Sequence, residues 1–180
     1  MDLLKALMGA AGSSDLSKLG EQFGLDSSSV EKVLGNVVPA LGGGVKKSAG
    51  AGGGLDGLIG ALQNGGHQRY LNNPDAITSP EGIQDGNNIL GHILGSKDVS
   101  RNVAAQAAQN SGVSSDIIKQ MLPMVATMVM GTLSKQTNGG AQLKSASDGG
   151  DLGSMLGSFL DSDGDGSAMD DVLDLARKFF

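Results

Sequence analysis

Two stretches of the sequence are built alike, and a chain that repeats a unit has to fold that unit twice. Leu19 to Pro39 reads as a helix, a glycine–apolar turn at Gly24-Leu25, a Ser-led helix and a proline. Val103 to Pro123 has the same order, with Gly112-Val113 as the turn. The turns stand 88 positions apart, and the first copy has four more residues between turn and proline, about one helical turn. Apolar residues keep helical spacing in both: Val30, Val33, Leu34, Val37, Val38 and Leu41 in the first, Ile117, Ile118, Met121, Leu122, Val125, Met128, Val129 and Leu133 in the second. No run alternates β-branched and polar residues. The expected fold class is all-α: a small helical bundle of two related helical hairpins, about 15–41 and 99–135, with Gly-rich linkers and a C-terminal helical tail.

The remaining punctuation extends this reading. Met1 to Met8 reads as a short amphipathic helix, and Ser14 as the cap of a helix carrying Leu16, Leu19 and Phe23 that Gly24 ends. Asp26 or Ser27 can cap the next helix, which Pro39 should kink or end. Residues 42–57, rich in Gly, Ala and Ser, read as a flexible connection; a short helix with Leu55, Leu58, Ile59 and Leu62 follows, and 64–79 read as a loop. Ser79-Pro80-Glu81 opens a helix with proline in its first turn, along which Gly86, Gly91 and Gly95 would allow close helix approach. Each of these costs roughly 1 kcal/mol in helix propensity. The expected organisation is a helical body over 1–137, a Gly/Ser-rich linker over 138–150 and an acidic C-terminal segment over 151–180.

Charge is unevenly placed. The net value is −6; residues 1–147 hold eleven acids and eleven bases, so the excess lies beyond them, where eight aspartates face only Arg177 and Lys178. A neutral body and an acidic tail do not attract nucleic acid phosphates. The hairpin second helices resemble DNA readers in geometry only, since the first offers Asp26, Ser27, Ser28, Ser29, Glu31 and Lys32, and the second Asp116, Lys119 and Gln120. There is no cysteine, which excludes thiol chemistry and a Cys-based zinc site. Neither His67 nor His92 has a second His or a Glu at ligand spacing. The apolar run Met121 to Leu133 falls short of the ~20 residues that span a bilayer, so no transmembrane segment is expected. The expected location is the cytoplasm, and a cysteine-free chain equally suits the periplasm.

The sharpest motif is Asp161-Ser162-Asp163-Gly164-Asp165-Gly166-Ser167. It matches the first seven positions of an EF-hand calcium loop, with carboxylates at 1, 3 and 5, glycine at 6 and a backbone carbonyl at 7. The twelfth position is Val172 instead of glutamate, while Asp170 and Asp171 stand one or two places early. Asp161, Asp163, Asp165, Ser167, Asp170 and Asp171 are therefore the candidate metal ligands, for calcium held weakly, on the order of 10⁻⁴–10⁻³ M. The competing reading is an acidic turn capping the last helix. The methionines Met121, Met124, Met128 and Met130 read as core before they read as a partner groove.

The paired turn–helix–proline units, the segment Ile89-Leu90-Gly91-His92-Ile93-Leu94-Gly95 and the tail Asp163-Gly164-Asp165-Gly166-Ser167 with Asp170-Asp171 resemble the YidB-like bacterial proteins of unknown function (domain of unknown function 937). The resemblance runs roughly from residue 15 to 180. It implies a small all-helical protein with a homeodomain-like bundle, and it implies no activity. The residues point to a non-enzymatic structural or protein-interaction protein, a homo-oligomer or a partner-binder, associating through apolar helix faces. Two alternatives are a calcium-responsive module using Asp161 to Asp165 and a helix-turn-helix DNA binder, which the charge disfavours.

Overall fold

A computed structural model describes residues 3–10, 13–50, 54–64 and 66–149. Among the described residues the chain is all-helical, without a strand. The helices are α1 (Leu3–Ala10), α2 (Ser13–Phe23), α3 (Ser27–Gly50), α4 (Gly54–Asn64), α5 (Gln68–Asn72), α6 (Pro74–Thr78), α7 (Pro80–Leu94), α8 (Lys97–Ser111), α9 (Ser115–Gln136) and α10 (Ala141–Gly149).

From Met121 to Ser134 the sequence gives α9 no charged residue, and the fold gives this stretch no solvent. Every residue from Met121 to Ser134 is buried, and α1, α3, α4, α5, α6, α7 and α8 all pack on it. By length and composition α9 could cross a membrane; here 83% of its most apolar stretch is covered by the other helices. Burying side chains such as Met121, Leu122, Val125 and Met128 contributes about 1.5–3 kcal/mol each. The two threonines in this stretch are satisfied within the helix. Thr127 Oγ1 donates to the Met124 carbonyl at 2.7 Å and Thr132 Oγ1 to the Met128 carbonyl at 2.9 Å.

Glycines set how closely the jacket approaches. At Gly86 of α7 a Cβ would overlap the Pro123 carbonyl, with the carbonyl carbon 2.5 Å away. At Gly44 of α3 it would meet Ile93 Cγ2 at 2.5 Å and the Ile93 carbonyl oxygen at 2.9 Å. At Gly131 of α9 it would meet the His67 carbonyl oxygen at 2.9 Å. Three helix crossings onto α7 and α9 thus use backbone where other helices use side chains. Of the three glycines expected to permit close approach along α7, only Gly86 does so. Gly91 is open, and Gly95, at φ 73°, is the left-handed C-cap.

The boundaries follow local chemistry where capping decides them. Asp26 Oδ1 accepts from the Ser29 N–H at 2.7 Å, so Asp26 caps α3, and its carboxyl is held below the usual range chiefly by that bond. Ser79 accepts from the Gly82 N–H ahead of α7, and Ser114 from the Ile117 N–H ahead of α9. Ser14 lies inside the first turn of α2 instead of ahead of it.

Three expectations based on composition are corrected. Residues 42–57 are not a flexible connection: α3 runs through Pro39 and Gly42-Gly43-Gly44 to Gly50, and α4 begins at Gly54. Leu41 and Val45 are buried on either side of the glycines, so packing offsets the propensity cost. The 64–79 segment contains the short helices α5 and α6. Within 138–150, read as a Gly/Ser-rich linker, α10 forms and buries Leu143 at 1% exposure. If backbone contact at Gly86 holds α7 on α9, Gly86→Ala lowers stability by at least about 1–3 kcal/mol. Gly35→Ala, at an open helical site, raises it by roughly 0.5–1 kcal/mol. Urea denaturation of both variants checks the opposite signs.

Candidate functional site

The candidate metal ligands Asp161, Asp163, Asp165, Ser167, Asp170 and Asp171 lie outside the described residues. Among the described residues no group of three or more His, Asp or Glu is placed to hold a metal ion. Met121, Met124, Met128 and Met130 are all core, at 0–3% exposure. The hairpin residues Glu31 and Lys32 are exposed on α3, and Asp116, Lys119 and Gln120 form the exposed start of α9 before it enters the core. His92 is exposed on α7.

Polar groups converge instead around α5. Its first turn follows His67, and its residues reach α7 and α9. Tyr70 is buried, and its hydroxyl donates to Asp85 Oδ2 on α7. Arg69 Nη2 donates to the same oxygen at 2.9 Å and to the Tyr70 hydroxyl at 2.7 Å. The guanidinium also lies 4.8 Å from the centre of the Tyr70 ring. On the other side, Gln68 Nε2 donates to the Ser134 carbonyl of α9 at 3.3 Å.

The His67 ring stacks on Tyr70, with centroids 6.3 Å apart and planes 25° apart. It is 6% exposed, and its Nδ1 has no hydrogen-bond partner. Burial pushes the His67 pKa below the ordinary value; the Asp85 charge and a hydrogen bond with the Ala61 backbone oppose this, and Arg69 adds to it. Burial, then the bond to Asp85, pushes the Tyr70 pKa up. The Arg69 pKa is raised, first by its bond to Tyr70. His67 is neutral and Tyr70 protonated at pH 7, and the Asp85 carboxylate is engaged by two donors. Chemically the cluster is a clasp that holds α5 between α7 and α9. Reading the sequence locally could find His67, Arg69 and Tyr70 together in one polar segment, but not Asp85, fifteen positions on.

A second polar site is a groove of about 620 Å³ where α7, α8 and α9 meet. Leu90 and Leu122 contribute its apolar lining, and Lys97, Arg101 and Lys119 its charged lining, with no acidic side chain among the lining residues. Asp98 pairs with Arg101 at 2.9 Å and Asp116 with Lys119 at 3.1 Å, both on exposed side chains, where such pairs contribute little. Two bases one turn apart on α8 and a third on α9 are individually ordinary, and only the packing of α8 on α9 brings them together.

Because burial lowers the His67 pKa, the unfolded chain takes up the proton first as pH falls. The contribution of neutral His67 is therefore complete above the ordinary value of 6.5 and is lost progressively below it, down to the lowered folded value. Urea midpoints should fall from pH 7 to pH 5 in the native chain, and His67→Gln should flatten that part of the profile. An equal slope in both chains would remove His67 as the cause.

Compared with known protein families, residues 5–136 match the family of bacterial proteins of unknown function DUF937. The chain belongs to that family. The match takes in both hairpins and the Ile89 to Gly95 segment and stops before the acidic segment. No curated protein and no solved structure matches the chain.

Proposed function

We propose that this DUF937 member is a non-enzymatic helical interaction protein that associates with its own kind. The hairpin pairs α2–α3 and α8–α9, packed against one another through α3, support a homeodomain-like arrangement of the body. The observation that carries the functional reading is how the chain distributes its apolar side chains. Among the described residues Met8, at 39%, is the exposed large hydrophobic, so the body has spent its apolar surface on covering α9. The apolar residues beyond it in sequence are Leu152, Met155, Leu156, Phe159 and Leu160, at helical spacing. Association therefore belongs to the segment after residue 150, and not to the methionine face. The polar clasp supports the non-enzymatic part of the reading, since its members are engaged in holding helices.

Calcium binding by Asp161, Asp163 and Asp165 is the second reading, favoured by the Asp-x-Asp-x-Asp-Gly pattern itself. Light scattering coupled to size exclusion, with calcium and again with chelator, tests both. A mass above the single-chain 18.1 kDa in both conditions, returned to that value by Leu156→Asp with Phe159→Asp, is the expected result. A mass that changes with calcium would put the calcium reading first. A single-chain mass at millimolar protein in both conditions would remove self-association.

A further inference from the structure

We infer that the groove between α7, α8 and α9 is the docking site for the chain's own acidic segment, Asp161 to Asp165. Each half of this pairing has its own observation. The groove presents Lys97, Arg101 and Lys119 around the apolar residues Leu90 and Leu122, and it opens at the N-terminal end of α8, whose helix dipole adds partial positive charge. Lys97 has no ion pair among the described residues. The exposed Asp98 and Asp116 compete for Arg101 and Lys119 only as surface pairs. The occupant lies in the part of the chain that carries its whole charge excess: residues 1–147 are neutral, and Asp161, Asp163 and Asp165 alternate with small residues over five positions. Alternating carboxylates with only Ser162 and Gly164 between them bring little side-chain bulk to a groove of this size beside three cationic side chains.

Reach permits the pairing within one chain. The described body ends with α10 at Gly149, and Asp161 stands twelve positions further on. Twelve residues span up to about 40 Å when extended. The groove meets α9 at Lys119 and Leu122, and the fourteen positions from Leu122 to the end of α9 at Gln136 cover about 21 Å of helix. Extended, the connection is about twice as long as that stretch of helix, which leaves roughly 19 Å for the offset of Gly149 from the end of α9. The docking holds for a single copy and does not depend on whether the chain self-associates.

The absence of cysteine makes the test direct in the full-length chain. Ser100→Cys, beside Arg101 in the groove, is combined with Ser162→Cys, and the rate of disulfide closure is read on non-reducing gels. The control pairs Ser162→Cys with Ser28→Cys at the exposed start of α3. At low ionic strength the groove pair should close about tenfold faster than the control as a single-chain species, and the advantage should vanish near 1 M salt, where the screening length is about 3 Å. Lys97→Glu with Arg101→Glu should also abolish it, and circular dichroism of that variant checks that the helices persist. Equal rates for groove and control pairs at low salt would overturn the inference, as would predominantly disulfide-linked dimers, which would place the segment in another copy.

Discussion

A helical stretch without a charged residue has to be surrounded, and this requirement on Met121 to Ser134 of α9 organises the rest of the chain. From Met121 to Ser134 every side chain is buried, so seven other helices supply cover from all sides. Short helices cannot surround a helix at ordinary separations and still exclude water, because their side chains would leave gaps at each crossing. The chain closes the gaps with glycine. At Gly86, Gly44 and Gly131 backbone approaches backbone or a branched side chain at distances where a Cβ does not fit. The high glycine content, which in another chain would signal flexibility, here permits close packing at these points.

The polar residues follow from the same constraint. Where hydroxyls must enter the core, they bond back to their own helix, as Thr127 and Thr132 do. Where a short helix must be pinned to the jacket, a compact set of charges does it: Asp85 receives both Tyr70 and Arg69, while Gln68 reaches Ser134. His67 is buried against this clasp as a neutral ring. Most polar chemistry in the described body thus serves its architecture. The cationic groove beside α8 is the exception, and the acidic segment of the same chain is its electrostatic complement.

Much of the architecture was legible where one residue type decides a local geometry. Ser79-Pro80 opens α7, Gly112 at φ 76° ends α8, and Ser114 starts α9, all as turn and cap chemistry requires. The continuation of α3 through Pro39 and three glycines was not legible, because local propensity opposes it and only burial of Leu41 and Val45 against other helices offsets that cost. The helices α5, α6 and α10 were missed for a related reason: short and polar, they are held by contacts from distant elements, as Leu143 is. The site was less legible than the fold. Asp85 joins Tyr70 only after α5 and α7 pack, and Lys119 joins Lys97 and Arg101 only after α9 packs beside α8. The aspartate motif was visible from the start, yet its likeness to a calcium loop says nothing about the groove that complements its charge.

The central claim is that α9 is the enclosed core helix of one cooperative body, and hydrogen exchange measured residue by residue on the full-length chain tests it most directly. Amides from Met121 to Ser134 should exchange only through global unfolding, with the same free energy along the whole stretch and the same urea dependence as unfolding followed by circular dichroism. Exchange of these amides through local openings of low free energy, while α3 and α7 stay protected, would contradict it.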